Sequence, residues 1–312
     1  MIHKQLMSHS TNSGKNDFFF MINPYFPTDN MIKELNKNMK HLIMHYPSHQ
    51  KIISDKVRRL ENVDRPLIAV NGSCEAIKVF MQNFSKKALI LSPNFGEWYI
   101  TDHINVPYNI STYDLLKAID KYKVDTVCIC NPNNPTGIYR GDIELLAAQY
   151  PDINFAIDIS FLDFVDYKMP SLPKGKNIIL VKSLGKNYGL CGLRLGYIAT
   201  ENKKIIDRLW ELLPIWNINS IAEFMIDLIQ KNKKEYEKSR IKIIEGTRKM
   251  RDFLKTIPGI EVYPTYANYV MIKSDKDFNF NIKRLDNKKE LGKRYYRIAY
   301  RPNYKVLRRL LK

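Results

Sequence analysis

From about residue 50 to residue 215, short aliphatic and β-branched runs alternate with segments whose apolar residues recur at helical spacing. The runs Leu67–Val70, Ala88–Leu91, Thr126–Cys130, Phe155–Ile159, Asn177–Val181 and Arg194–Ala199 predict strands. Cys74–Phe84, which opens on Asn-Gly-Ser, and Thr112–Tyr122 and Asp142–Tyr150 predict helices. Such alternation implies a mostly parallel sheet covered on both faces, with ligands bound at the carboxyl ends of its strands. Beyond it, Ser220 to Ile257 predicts one long lysine-rich helix or two. After Pro258-Gly259 come short strands at Glu261–Tyr263, Asn268–Lys273 and Tyr295–Tyr300, then a last helix. The expected fold is α/β: a large sheet domain over 41–215, a smaller α+β domain over 216–312, and residues 1–40 as an arm contributing to the small domain.

Composition narrows the class. A chain of 312 residues with 45% hydrophobic content suits a two-lobed globular protein. No apolar run approaches the roughly 18 residues of a membrane helix. The opening Met-Ile-His-Lys-Gln lacks the apolar stretch of a signal peptide, so a cytoplasmic protein with no membrane partner is expected. Cys74, Cys128, Cys130 and Cys191 have no metal-ligand spacing; no metal is expected, and reduced buried thiols are. Lys+Arg 50 against Asp+Glu 32 gives a net charge of +18, which raises nucleic acid as a partner. The basic residues are spread along the chain, however, and the densest stretch, 283–312, carries no nucleic-acid motif. A basic field also suits an anionic cofactor and substrate, so nucleic acid is not the expected partner.

Candidate chemistry concentrates in the loops after the strands. Ser183 to Tyr197 contains Lys186 among glycines, with Ser183 three residues before it and Arg194 eight after. Burial disfavours a lysine ammonium on such a loop, and a neutral lysine amine condenses with an aldehyde. If Ser183 and Arg194 hold a phosphate, that aldehyde is pyridoxal phosphate. Gly72, Ser73 and Cys74 open a helix after a strand, where backbone amides and the Ser73 hydroxyl make a phosphate cradle or an ordinary N-cap. Phe95 follows another strand and either stacks on a pyridine ring or fills the core. The loop Asn131 to Gly137, fixed by two prolines and a glycine, leaves Asn134 free to donate to a ring oxygen. Asp158 ends an apolar strand, where a carboxylate needs a cation; a protonated pyridine nitrogen supplies one and keeps the ring an electron sink.

Taken together, Asn-Gly-Ser-x-Glu, Asn-Pro-x-Asn-Pro-Thr-Gly, Asp158 and Ser-x-x-Lys-x7-Arg resemble fold-type I pyridoxal-phosphate enzymes of the class I/II aminotransferase superfamily. The likeness runs from about His9 to the C-terminus, toward the branch holding histidinol-phosphate aminotransferases and threonine-phosphate decarboxylases. It implies an aspartate aminotransferase-like large domain with a seven-stranded sheet. It also implies that Lys186 carries the cofactor, Asp158 meets the ring nitrogen, Asn134 the ring hydroxyl and Phe95 the ring face. Gly72, Ser73, Cys74, Ser183 and Arg194 would hold the phosphate. Tyr46, in His45-Tyr46-Pro47, would reach the cofactor phosphate of a second subunit, which implies a homodimer. Arg297 would bind the substrate carboxylate.

Finer details favour the decarboxylases: Ile22-Asn23-Pro24, Phe95-Gly96-Glu97-Trp98, Ser160 to Phe164, and the doubled arginines Arg297 and Arg301. The implied reaction is decarboxylation of O-phosphothreonine or O-phosphoserine, with histidinol-phosphate-type transamination as the alternative. Asn23, His9, Asn12, Arg284 and Arg301 are candidates for substrate contacts, the last four for a distal phosphate. Against the pattern, Gly185 stands where Ser or Thr is usual, Ile159 where Glu is common, and the stretch from Lys273 to Ile282 is about a helix short. Two readings from other classes stand beside the enzyme. A catalytically impaired relative is opposed by the intact set Lys186, Asp158, Asn134, Arg194 and Arg297. A nucleic-acid binder would show steeply salt-dependent retention.

Overall fold

A computed structural model describes residues 17–278, 280–286, 288 and 291–311. Its larger sheet has seven strands in the order β1-β7-β6-β5-β4-β2-β3. These are β1 (Leu67–Val70), β2 (Lys87–Ser92), β3 (Asp102–Pro107), β4 (Thr126–Cys130), β5 (Asn154–Asp158), β6 (Ile178–Ser183) and β7 (Gly196–Thr200). Neighbours from β3 to β6 run parallel; β7 lies antiparallel between β6 and β1. Successive residues of each strand point to opposite faces. Leu67, Ala69, Leu89, Val127, Phe155 and Ile157 therefore join one core, and Ile68, Val70, Ile90, Cys128 and Ala156 the other.

The expected βα alternation forms as read. Helix Thr112–Tyr122 is capped by the Ser111 side chain and ended by Lys123 in the left-handed region. The lysine-rich stretch divides at Asn232 into helices Ser220–Lys231 and Lys233–Leu254. Helix Ser220–Lys231, expected within the small domain, puts Ala222, Met225, Ile226 and Ile229 into the core of the large sheet. The smaller sheet is antiparallel, ordered β10-β11-β9-β8, from β8 (Ile260–Val262), β9 (Tyr269–Ser274), β10 (Lys283–Arg284) and β11 (Tyr295–Ala299). Phe18 joins its core, and the backbone around Phe18 bonds to Asn281 and Ala299, tying the N-terminal arm to this lobe. Among the described residues, no helix is long and apolar enough to cross a membrane.

Candidate active site

Register across the large sheet assembles the site. Val70 and Ser183 both pair with Gly196, so the ends of β1 and β6 flank the start of β7. Cys130 and Val181 both pair with Asp158, which brings the loops after β4, β5 and β6 side by side. Asn71 to Cys74, Phe95, Asn134, Asp158, Ser183 and Lys186 thus emerge along one edge, as the fold requires.

The phosphate cradle is built from close backbone approach. Gly72 has φ +75°, and a Cβ there would sit 2.7 Å from the Arg194 guanidinium. A Cβ on Gly196 would lie 2.9 Å from Gly72 itself, so both glycines are needed where β7 starts. Helix Gly72–Phe84 has no side-chain N-cap bond, leaving its first amides for an anion. The Asn71 amide is instead held by Glu75 (2.7 Å), which also accepts from Asn217. Ser183 is buried, its own amide donating to Ser160 Oγ at 2.8 Å. Burial pushes up the Cys74 thiol, and the charges of Arg194, Lys186 and Asp158 all reach it.

Asp158 is buried, and one carboxylate oxygen accepts from the Ser160 amide at 2.9 Å. Among the described residues no cation pairs with it, which fits a site for a ring N–H. Lys186 is half-buried, its ammonium 5.2 Å from the Phe161 ring centre. Phe161 meets Tyr269 edge-on, and Tyr269 donates to the carbonyl of Asn133. Phe95 is half-buried and packs against the core cluster that contains Trp98. Gly185 has a packing reason, since a Cβ there would lie 2.9 Å from the Cys191 backbone. Ile159 is a fully buried core residue. The residues present fit pyridoxal phosphate.

Arg297 stands opposite. Its guanidinium donates to Asn134 Oδ1 at 2.6 Å and to the Phe19 carbonyl at 3.0 Å, and its buried Nε has no partner. Burial holds it down to about 10. The contact with Asn134 joins the two lobes at the site.

Three of the substrate-contact candidates have other partners in the structure. Arg284 pairs in register with Tyr296 and forms ion pairs with Asp277 (3.1 Å) and Asp286 (2.7 Å), so it faces away from the site. Its neighbour Lys283 pairs in register with Arg297 and shares its face. Burial and then the charges of Arg297 and Lys288 hold Lys283 down to about 8. Asn23 is buried, its carboxamide bonding Asn187, Ser239 and Tyr25 and its amide donating to the carbonyl of Lys186 (2.9 Å). It braces the lysine loop. Arg301 donates to the Phe20 carbonyl and lies 3.5 Å from Asp17, which binds it to the N-terminal arm. His9 and Asn12 lie outside the described residues. Tyr46 is 78% exposed, stacked on Trp216 at 4.5 Å. Reading the chain for arginines passed over Lys283; only the register of β10 against β11 brings it beside Arg297.

Comparison with known proteins places this geometry. The chain is 29% identical over 281 residues to CMP-5'-(3-aminopropyl)phosphonate synthase of Streptomyces rubellomurinus, 83% of this chain but only 44% of that protein. It is 29% identical to L-serine phosphate decarboxylase of Sulfurospirillum multivorans (83% and 74% covered). It is likewise 29% identical to histidinol-phosphate aminotransferase of Thermoanaerobacter sp. (79% and 74%). The fold matches the crystal structure of L-threonine-O-3-phosphate decarboxylase from Porphyromonas gingivalis with TM-score 0.83 at 24% identity, covering 95% of this chain and 98% of that one. The model of the family "Aminotransferase class I and II" matches residues 22–277. The chain belongs to the class I and II aminotransferase family and is an enzyme whose cofactor is pyridoxal phosphate.

Proposed function

We propose that this enzyme decarboxylates a small phosphorylated amino acid, O-phosphothreonine or O-phosphoserine, to carbon dioxide and the amino-alcohol phosphate. One observation carries the reading: Arg297 and Lys283 stand in register on one face of the small sheet, and the Lys288 ammonium reaches the Asn94 carbonyl beside Phe95. That arrangement offers two anion positions, one for an α-carboxylate and one for a phosphate. Arg297 takes the carboxylate, which its planar fork matches with two hydrogen bonds. Lys283 and Lys288 take the phosphate as point charges.

Gly72, Ser73, Cys74, Ser183 and Arg194 would hold the cofactor phosphate, Phe95 would cover the ring, Asn134 would donate to its hydroxyl and Asp158 would hold the proton of its nitrogen. Bound there, pyridoxal phosphate supplies an electron sink for whichever bond at the substrate α-carbon lies perpendicular to its ring. Arg297 decides which bond that is by fixing the carboxylate. Lys186 anchors the cofactor, and its Nζ returns a proton to the α-carbon. The names of the Sulfurospirillum multivorans and Porphyromonas gingivalis relatives support this choice. Equal identity to a histidinol-phosphate aminotransferase supports amino-group exchange with a 2-oxoacid as the second reading.

In this reading the enzyme is a cytoplasmic homodimer. Tyr46 and Trp216 form an exposed apolar rim with Ile43, Met44 and Ile215, and that exposure supports an interface through which the tyrosine enters a second subunit. The test is incubation of the holoenzyme with O-phosphoserine, O-phosphothreonine or histidinol phosphate, with and without 2-oxoglutarate. Amine phosphate formed without the oxoacid supports decarboxylation; a keto product that requires it supports the second reading.

A further inference from the structure

Away from the cleft, helix Lys233–Leu254 turns Arg240, Ile244, Thr247, Arg248 and Arg251 toward the segment Asp163 to Tyr167. Arg240 seals one end, donating to the carbonyls of Asp163 (2.8 Å), Asp166 (2.8 Å) and Tyr167. Further along the helix the surfaces part around a cavity of about 170 Å³, closed on its far side by Pro264 to Ala267. Its apolar walls include Phe164, Val165, Ile244 and Ala267. The Thr247 hydroxyl is buried in the wall with no partner, an arrangement that native interiors avoid. Arg248 and Arg251 stand at the edge, 3.0 Å from Asp166 and 3.1 Å from Asp252. Each guanidinium has five N–H donors, so one carboxylate apiece leaves donors over.

We infer that this cavity binds a small organic monoanion: a carboxylate on an apolar body of amino-acid size or slightly less. A dry cavity of about 150 Å³ already takes a benzene ring. The apolar walls hold the body, Thr247 donates to a ligand oxygen, and Arg248 and Arg251 neutralise the charge. The site also touches the catalytic apparatus. Tyr266, in its wall, donates its amide to the Gly137 carbonyl at 2.8 Å, and Tyr269 donates to Asn133. Both bonds end on the loop that carries Asn134, so occupancy shifts cofactor affinity. None of this depends on which bond the enzyme breaks.

The experiment titrates the holoenzyme with 4-fluorobenzoate, followed by fluorine NMR. Saturable binding near about 1 mM is expected, weakened about tenfold or more by the charge reversal R248E/R251E and retained in R297A. A cavity-filling A267F variant should weaken it similarly; if A267F fails to fold, the charge reversal, at residues on the cavity edge, decides alone. Cofactor affinity should change about threefold or more when the probe is saturating, by the reciprocity of coupled sites. No saturable binding by about 20 mM, unchanged affinity in R248E/R251E, or loss in R297A, which would put the probe in the catalytic cleft, overturns the assignment. Equal cofactor affinity with and without probe overturns the coupling.

Discussion

Burial, helped by the charges of Arg297 and Lys288, holds the Lys283 ammonium at about 8 against 10.5 for a free lysine. The folded value is the lower one, so the charge costs stability below about pH 8, and that cost fades between the folded and unfolded values. In the proposed function the sign for binding is opposite: raising the pH through about 8 discharges Lys283 and would remove its contact with a substrate phosphate. Accordingly kcat/KM for a phosphorylated substrate should fall on the alkaline side near pH 8. Lys283→Arg should carry that limb above about pH 10, because a guanidinium stays charged. A limb left in place in the variant would remove Lys283 from the substrate site. Residue types at the cofactor end were legible because Lys186, Asp158, Asn134 and Arg194 each sit in a loop whose glycines, prolines or strand end restrict what the side chain can do. The protein partners of Asn23 and Arg284 were not legible, because composition does not say which side of a backbone a side chain leaves.

At the scale of elements, the apolar runs located every central strand of the large sheet, since strands buried on both faces are apolar throughout. β3 escaped because an edge strand is half exposed; Asp102-His103-Ile104-Asn105-Val106-Pro107 carries polar residues and a proline. β10 escaped because two residues have no period. Beneath β6, Lys182 lies between Glu61 (2.6 Å) and Asp163 (2.8 Å), all three buried. Burial alone would lower Lys182, yet the two carboxylates outweigh it and push its pKa well up. Tyr188 donates to Glu61 and Tyr236 to Asp163, so the cluster links the strand before Lys186, the lysine loop and helix Lys233–Leu254. Lys182→Met strands two buried carboxylates and should destabilise the fold by about 3–5 kcal/mol, measured by denaturant unfolding of the holoenzyme. A loss under about 1 kcal/mol would mean that solvent reaches the cluster.

The whole molecule has an uneven surface. The net charge of +18 is spread along the chain, and the proposed function gives Arg297, Lys283 and Lys288 the part of it that would meet substrate anions. The rim around Tyr46 is apolar instead, and Trp216 is still 53% exposed. If two copies meet there, Trp216→Glu should shift sedimentation from a dimer to a monomer of 36.7 kDa and lower activity, since Tyr46 would lose its neighbour's cofactor. A variant that stays dimeric would move the interface elsewhere. Fold class and cofactor were visible in the order of loops along the chain. Reaction type was not, because it depends on the orientation of one substrate bond.

The direct measurement is therefore the fate of the carboxyl carbon. Carbon-13 NMR of O-phosphoserine labelled at its carboxyl, mixed with holoenzyme and no oxoacid, should show the label leaving as carbon dioxide and bicarbonate while O-phosphoethanolamine accumulates. Label retained in a keto acid, formed only after 2-oxoglutarate is added, would contradict the account.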